Sequence, residues 1–365
     1  MKKDILTRLY TEGNPLIGGQ RVTFYWIGDH APHLIDDLHD WEGGPQPLRF
    51  FSDPLPGSDK PIWRASFNLP RDAYLEYAFY DPNTRQRFAD PFNPHSVNNG
   101  VGSRNHFFYM PDAAPTPLSA PRRDVPHGII TRRVVETWML ADDGRREVYL
   151  YQPPVKEPVP LLVVYDGRDY LRRGKLAVIL DNLIAANRIR PLAMVLLQNG
   201  GRRRGVEYAC SDATIAWLDH VILPLAREHL RLLNIQKNPG AYGVLGASFG
   251  GLMAFHTGLR MPEVFGKVIS QSGVFGSEGR DFAAVDLIRH GRARDRLKIW
   301  MDAGRLEGLL EDNRRLQPIL RDNGYDVTYR EFGGGHCYTA WRDDVWRGLE
   351  ALFPVSRDSS RPPAT

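Results

Sequence analysis

The stretch GAYGVLGASFGGLMAFHTGL, residues 240–259, leads from an apolar run through a serine crowded by glycines into a helical pattern. Within it, Gly246-Ala247-Ser248-Phe249-Gly250 fits G-x-S-x-G. In that pattern a strand reverses sharply into a helix and holds the serine in a strained conformation. Side chains two residues to either side would then clash. Gly246 and Gly250 occupy those two positions, and Gly251 adds room. The spacing predicts a strand over Tyr242–Leu245 and a helix over 249–260. Five loosely specified positions recur by chance in many chains, so the pattern gains meaning only from what surrounds it.

Working outward, residues from about 129 alternate between strand and helix patterns. Arg146–Tyr151 and Leu161–Tyr165 read as strands, the second a continuous apolar run suited to a sheet covered on both faces. A helix is expected near 173–187 and a strand over Leu192–Leu197. Residues 213–233 have helical spacing through Ile215, Leu218, Ile222, Leu225 and Leu230, with a kink expected at Pro224. Strands Val268–Gln271, Leu297–Met301 and Val327–Phe332 follow, and a helix near 340–353 closes the series. His290 reads as part of a basic loop. Such alternation predicts a mostly parallel sheet flanked by helices, an α/β-hydrolase fold.

Residues 20–110 have a different texture. Short alternating runs such as Val22-Thr23-Phe24-Tyr25-Trp26 and Tyr74-Leu75-Glu76-Tyr77-Ala78-Phe79-Tyr80 are separated by Pro, Gly and Asp turns, which predicts an all-β sandwich. DPFNPHSVNNG (90–100) reads as irregular. PDAAPTPLSAPRRDVPHG (111–128) carries five prolines and reads as an extended linker. The expected organisation is an N-terminal immunoglobulin-like β-sandwich over 1–112, a linker over 113–128, a catalytic α/β domain over 129–355 and a disordered tail over 356–365. Trp26, Trp41 and Trp63 read as filling for the sandwich core, with an aromatic or sugar platform as the other reading.

A serine hydroxyl is a poor nucleophile at neutral pH and needs a base, a group to orient that base, and donors for the oxyanion. In this fold the chain order is serine, acid, histidine. His336, in EFGGGHCYTAW (331–341), lies on a glycine-rich loop just past a predicted strand, where open α/β sheets place their sites. His220, His229 and His256 fall within predicted helices. The acid belongs at or beyond Leu297–Met301, in LKIWMDAGRLEGLLEDN (297–313). Asp302 ends the strand, and Glu307 is five residues on. Asp302 equally caps the turn at Gly304, and Glu307 equally serves a helix dipole. Spacing leaves both open. The oxyanion hole calls for the Phe249 amide and a second from the loop after an earlier strand, which Gly167 and Arg168 supply. Asp166 reads as a turn residue.

The residues around this constellation resemble a family. NPGAYGVLGASFGGLMAFHTGLRMPEVFGKVISQSG (238–273), EYACSDATIAWLDHVILPLAREHL (207–230), VVYDGRDYL (163–171) and GGGHCYTAWRDDVWRGL (333–349) are similar to segments of the enterochelin (enterobactin) esterases and related esterase D-type α/β hydrolases. The resemblance covers most of residues 130–353. More weakly, with DPFNP (90–94) the best local match, the N-terminal part is similar to the β-sandwich of enterochelin esterases. The resemblance implies Ser248 as nucleophile, His336 as base and an oxyanion hole near Gly167–Arg168 and Phe249. It favours Glu307 over Asp302, because the acid in such relatives follows a strand-end DAG or EAG by a few residues. In one respect this chain departs: the family often has aspartate after the loop histidine, and here Cys337 follows.

Arg202-Arg203-Arg204 follows the strand Leu192–Leu197. It reads either as an electropositive clamp for an anionic substrate such as a ferric catecholate, or as a solvated run in which Arg204 pairs with Glu207. Trp341 is a further candidate for substrate contact, its other reading being an anchor for the last helix.

Composition narrows the class. The 365 residues carry 47 basic and 43 acidic side chains, a formal charge of +4, too slight an excess to imply nucleic acid. No run approaches the length needed to span a bilayer. MKKDILTRLYTEGNPLIGG has no continuous apolar core of signal-peptide length, and two cysteines without C-x-x-C spacing give neither a disulfide framework nor a zinc site. The expectation is a cytoplasmic serine esterase with a small-molecule ester substrate and no metal or organic cofactor. By resemblance that ester is a catecholate siderophore. The alternatives are a feruloyl, other aromatic-acyl or acylated-sugar ester, and, in another class, a non-catalytic glycan-binding protein with a relic hydrolase domain.

Overall fold

The computed structural model describes residues 4–55, 58–141, 144–291 and 296–355; the tail expected at 356–365 lies outside the described residues. Two compact units emerge. One contains the residues up to Pro115 together with Gly304–Gly308 and Phe332–Ala340. The other contains Thr116–Ala303, Leu309–Glu331 and the residues from Trp341 onward.

The first unit begins with α1 (Ile5–Glu12), a helix the sequence reading passed over. Among the described residues ten strands follow: β1 (Leu16–Gly18), β2 (Arg21–Ile27), β3 (His33–Asp36), β4 (Gln46–Pro47), β5 (Arg49–Ser52), β6 (Ile62–Asn68), β7 (Tyr74–Asp81), β8 (Gln86–Phe88), β9 (Ser96–Asn98) and β10 (Arg104–Tyr109). They form two sheets, of order β1-β2-β6-β5 and β4-β3-β7-β10-β9, with β8 added to β7. β9 is a short strand in the segment expected to be irregular, paired with β10.

Strand periodicity decides what each side chain of β7 faces. Leu75, Tyr77 and Phe79 join Val22, Phe24, Leu34 and Phe108 in the core cluster. Tyr74, Glu76, Ala78 and Tyr80 point the other way and are nevertheless buried, so β7 is covered on both faces. Trp26 and Trp63 pack at the edge of the core, and Trp41 packs beside Ile35, Ala78 and Tyr80.

The second unit is built on an eight-stranded sheet of order β11-β12-β14-β13-β15-β16-β19-β20. Its strands are β11 (Ile129–Glu136), β12 (Arg145–Gln152), β13 (Leu161–Val164), β14 (Ala193–Leu197), β15 (Tyr242–Ala247), β16 (Phe265–Gln271), β19 (Lys298–Gly304) and β20 (Asp326–Phe332). A small hairpin, β17 (Gly276–Ser277) and β18 (Arg280–Asp281), lies between β16 and β19 in the chain. β11, β12 and β14 pair antiparallel, and pairing is parallel from β14 through β13, β15 and β16 to β19. This is the hydrolase-like α/β core expected from the alternation. The helices are α2 (Gly167–Arg172), α3 (Leu176–Ala185), α4 (Arg204–Tyr208), α5 (Asp212–Trp217), α6 (Leu223–His229), α7 (Phe249–Arg260), α8 (Ala283–His290), α9 (Leu310–Asp322) and α10 (Tyr338–Leu352).

Two local expectations change. The helix read across 213–233 is α5, a π turn (Leu218–Ile222) and α6, with Pro224 in the first turn of α6. Proline has no N–H for the helical ladder and its ring crowds the carbonyl four residues back, and the wider π turn absorbs both. His290 closes helix α8 rather than sitting in a loop.

Asp181 of α3 pins the proline-rich segment. Its carboxylate accepts from the Gly128 amide (2.9 Å) and the buried Tyr151 hydroxyl (2.5 Å), and lies 3.0 Å from His127 Nδ1. Removing a buried acceptor leaves its donors desolvated without compensation. Asp181→Ala is therefore expected to cost about 1–3 kcal/mol of stability, read as a lowered urea midpoint, while Lys156→Ala on the surface leaves the midpoint in place.

Candidate active site

β15 delivers the chain to Ser248, and α7 carries it away. Ser248 sits at φ 59° and ψ −127°, in the left-handed half of backbone space where a Cβ is strained. A Cβ added at Gly246 would meet the Gly250 carbonyl oxygen at 2.1 Å, so the first glycine of the pattern is required by backbone and not by a movable side chain. The strained turn is held from both sides. The Ser248 amide donates to the Gln271 carbonyl (2.9 Å), and the Ser248 carbonyl accepts from Gly251 (2.9 Å) and Leu252 (3.1 Å). Phe249 and Gly167 are the first residues of α7 and α2, where amides have no acceptor within their own helix. Arg168 follows in α2.

In the other unit, His336 Nδ1 lies 2.5 Å from Glu307 Oε2. The Glu307 side chain is 1% exposed and the His336 side chain 34%, so the acid is buried and the imidazole reaches solvent. The second oxygen of Glu307, Oε1, accepts from the Gly304 amide at 2.7 Å, which fixes the carboxylate plane. Asp302 is wholly buried inside β19, and its Oδ2 accepts from Trp300 Nε1 (2.8 Å) and the Gln271 amide (3.4 Å). The turn at Gly304 is thus satisfied by Glu307, whereas the sequence had offered Asp302 for it.

The arginine run divides. Arg202 and Arg203 are exposed in a turn after β14. Arg204 instead donates Nε and Nη2 to Asp166 at 2.8 and 2.6 Å, and Nη2 also reaches the Ala247 carbonyl at 3.2 Å. Asp166 is buried, sits at φ 54°, and accepts a third bond from Asn199 (2.6 Å). Glu207, offered as a partner for Arg204, forms a buried bidentate pair with Arg146 (2.7 and 2.8 Å). From sequence alone Asp166 reads as a turn residue. It is the carboxylate that, through Arg204, ties the loop bearing Gly167 to the residue before Ser248. A lone acid closing a fully apolar strand was the available signal. Trp341 is 4% exposed and donates its Nε1 to Ser272 Oγ (2.9 Å).

Burial and the proximity of Arg260 push the His256 imidazole below its usual value, against the pull of Asp212, whose Oδ1 lies 3.0 Å away. Among the described residues no group of three or more His, Cys, Asp and Glu side chains is arranged to hold a metal ion, and no helix is long and apolar enough to cross a membrane.

A parallel sheet entering a strained serine at a strand-to-helix turn defines the class, an α/β hydrolase. The family model described as "Putative esterase" matches residues 141–352, more than half of the chain, and the protein belongs to that family. The chain is 26% identical to the iron(III) enterobactin esterase of Dickeya dadantii, over 93% of this chain and 90% of that protein. Among solved structures it is similar to the ferric enterobactin esterase of Salmonella typhimurium, with a TM-score of 0.76 at 24% identity, covering 91% of this chain and 93% of that one. A ferulic acid esterase matches with a TM-score of 0.52 at 14% identity, over 62% of this chain and 97% of its own.

Arg204→Met leaves the Asp166 carboxylate buried without its cation, a change expected to cost roughly 3–5 kcal/mol. The check is a thermal melt against Arg202→Met, which is expected to melt with the wild-type protein.

Proposed function

We propose that this esterase works through Ser248, His336 and Glu307, and that its substrate is an ester of the catecholate siderophore type. The observation that carries the reading is a serine at φ 59° on a G-x-S-x-G elbow in a chain whose loop histidine is paired through Nδ1 with a buried carboxylate. With Nδ1 donating to Glu307, His336 Nε2 is the nitrogen that takes a proton. It accepts the Ser248 hydroxyl proton as Oγ bonds to the ester carbonyl carbon. The carbonyl oxygen becomes an oxyanion, to be met by the amides of Phe249 and of Gly167 or Arg168. Collapse breaks the ester C–O bond, and His336 returns the proton to the leaving alcohol. Water then attacks the acyl-serine with its proton passing to His336, and release of the acid restores Ser248.

Two observations favour the siderophore over a feruloyl ester. Likeness to the enterobactin esterases runs through nearly the whole chain, whereas the ferulic acid esterase matches 62% of it. Arg202 and Arg203 also give an exposed cationic turn suited to an anionic chelate. Arg204 is committed to Asp166 and is assigned to bracing the elbow.

A fluorophosphonate probe is expected to label the wild-type protein and to leave Ser248→Ala unlabelled. Glu307→Gln is expected to lower kcat by about 10²–10⁴-fold, and Asp302→Asn to lower stability far more than turnover of the folded fraction. On a panel of ferric enterobactin, feruloyl sugars and short p-nitrophenyl esters, the highest kcat/KM is expected on the siderophore. Turnover confined to short neutral esters would refute that substrate.

A further inference from the structure

The loops that carry His336 and Glu307 belong to the same compact unit as the N-terminal sheets. The contacts that place them there fall on both sides of the imidazole in sequence. The Tyr74 amide, at the start of β7, donates to the Gly333 carbonyl at 2.7 Å. A Cβ at Gly333 would sit 2.2 Å from the Asp72 carbonyl oxygen, and one at Gly335 would sit 2.2 Å from Asp37 Cβ and Cγ. Two glycines of GGGH are therefore pressed against N-terminal residues. Beyond the histidine, the Thr339 hydroxyl donates to Glu76 Oε1 at 3.3 Å. Glu76 is held in turn by the Tyr74 hydroxyl (3.0 Å, Oε1) and the Asn105 amide (2.8 Å, Oε2).

The acid's loop is gripped by the same unit. Arg305, two residues before Glu307, pairs with both oxygens of Asp72 at 2.5 Å. Leu306 is buried in the N-terminal core cluster beside Leu75 and Tyr77. The two loops are also bonded to each other, from the Arg305 amide to the Phe332 carbonyl (2.9 Å) and from the Leu306 amide to the Gly334 carbonyl (3.0 Å). Burial, with the Glu76 charge adding to it, pushes the Asp37 carboxyl well above the usual carboxylate range. That favours its neutral form where it touches the loop.

We propose that the N-terminal sheets are a positioning device for the base and its acid, with Glu76 and Asp72 as the residues that hold the two loops in catalytic register. Glu76 acts on the segment after His336, and Asp72 acts on the segment before Glu307. Neither is assigned contact with substrate. Orientation errors of a fraction of an ångström at a base lower turnover without changing ground-state binding, so the signature is in kcat and not in KM.

This inference rests on the triad proposed above, and the test separates the two. The fluorophosphonate labelling rate of Ser248 and the kcat and KM for a p-nitrophenyl ester are measured on the full chain, each with a thermal melt. Glu76→Ala is expected to lower labelling rate and kcat at least tenfold with KM within twofold. Glu76→Gln, which keeps an acceptor for Tyr74 and Thr339, is expected to recover most of both. Asp72→Ala removes only an exposed partner and is expected to lower kcat at least threefold at an unchanged melting temperature. Lys60→Ala, which loses an exposed pair with Asp29 in the same unit, is expected to match wild type. No labelling of wild-type Ser248 would refute the triad itself. Labelling of wild type with unchanged labelling and kcat in Asp72→Ala would overturn the inference, whether or not Glu76→Ala folds. So would a folded Glu76→Ala that labels at the wild-type rate, or a fall in kcat that only tracks the melting temperature.

Discussion

Holding a residue with a Cβ at φ 59° strains the backbone by about 1–3 kcal/mol, and the surrounding hydrolase core is arranged to keep Ser248 there. β15 lies between β13 and β16 in the middle of the sheet, so the strand that delivers the serine is fixed on both edges. Gln271, at the end of β16, accepts the serine's own amide. Gly246 lets the Gly250 carbonyl come where a methyl group would stand. Arg204 then joins the Ala247 carbonyl to Asp166 at the mouth of the neighbouring strand, so that two strand ends share one cation. A point-charge lysine would not span those acceptors, because the fork of the guanidinium is what lets one side chain bond both.

Features governed by local chain chemistry were legible in the sequence. The elbow pattern around Ser248 marked the strand before it and helix α7 after it, and a continuous apolar run marked β13, because a strand buried on both faces has no polar positions to interrupt it. The π turn before Pro224 was not legible, since proline announces a disturbance of the helix without saying whether the chain bends or widens. The choice between Asp302 and Glu307 was equally closed to spacing. Both lie near the end of β19, and what separates them is direction: Asp302 faces Trp300 of its own strand and Gln271 of the neighbouring β16, and Glu307 turns back toward Gly304 and His336. A five-residue offset across a turn does not encode direction.

Least legible were the residues that act across long sequence separations. Glu76 is a lone charge in an otherwise aromatic and aliphatic run, and that is a signal, but one that names no partner. Its partner Thr339 is more than 250 residues away. Strand parity supplies the missing step: with Leu75, Tyr77 and Phe79 committed to the sandwich core, Glu76 has to project from the opposite face. A buried carboxylate there requires donors, and Tyr74, Asn105 and Thr339 provide them. The three glycines before His336 read in the sequence only as a glycine-rich loop. In the structure two of them mark where the loop lies flush against Asp72 and Asp37.

The same cluster gives a physical account of Cys337, the position where the family resemblance implies aspartate. Cys337 is buried, and desolvation, together with the charge of Glu76, pushes its thiol well above the usual value, which keeps it neutral. An aspartate at this position would add a third carboxyl to Asp37 and Glu76 in a site already removed from water. Like charges at such range disfavour one another's ionisation, and burial disfavours it further. A small neutral side chain therefore suits a loop whose acidic neighbours are Glu76 of β7 and Asp37 in the turn after β3. The departure at 337 and the glutamate at 76 are thus parts of one arrangement, in which carboxyls beside the His336 loop are supplied by the N-terminal residues Asp37 and Glu76 and not by the residue after the histidine.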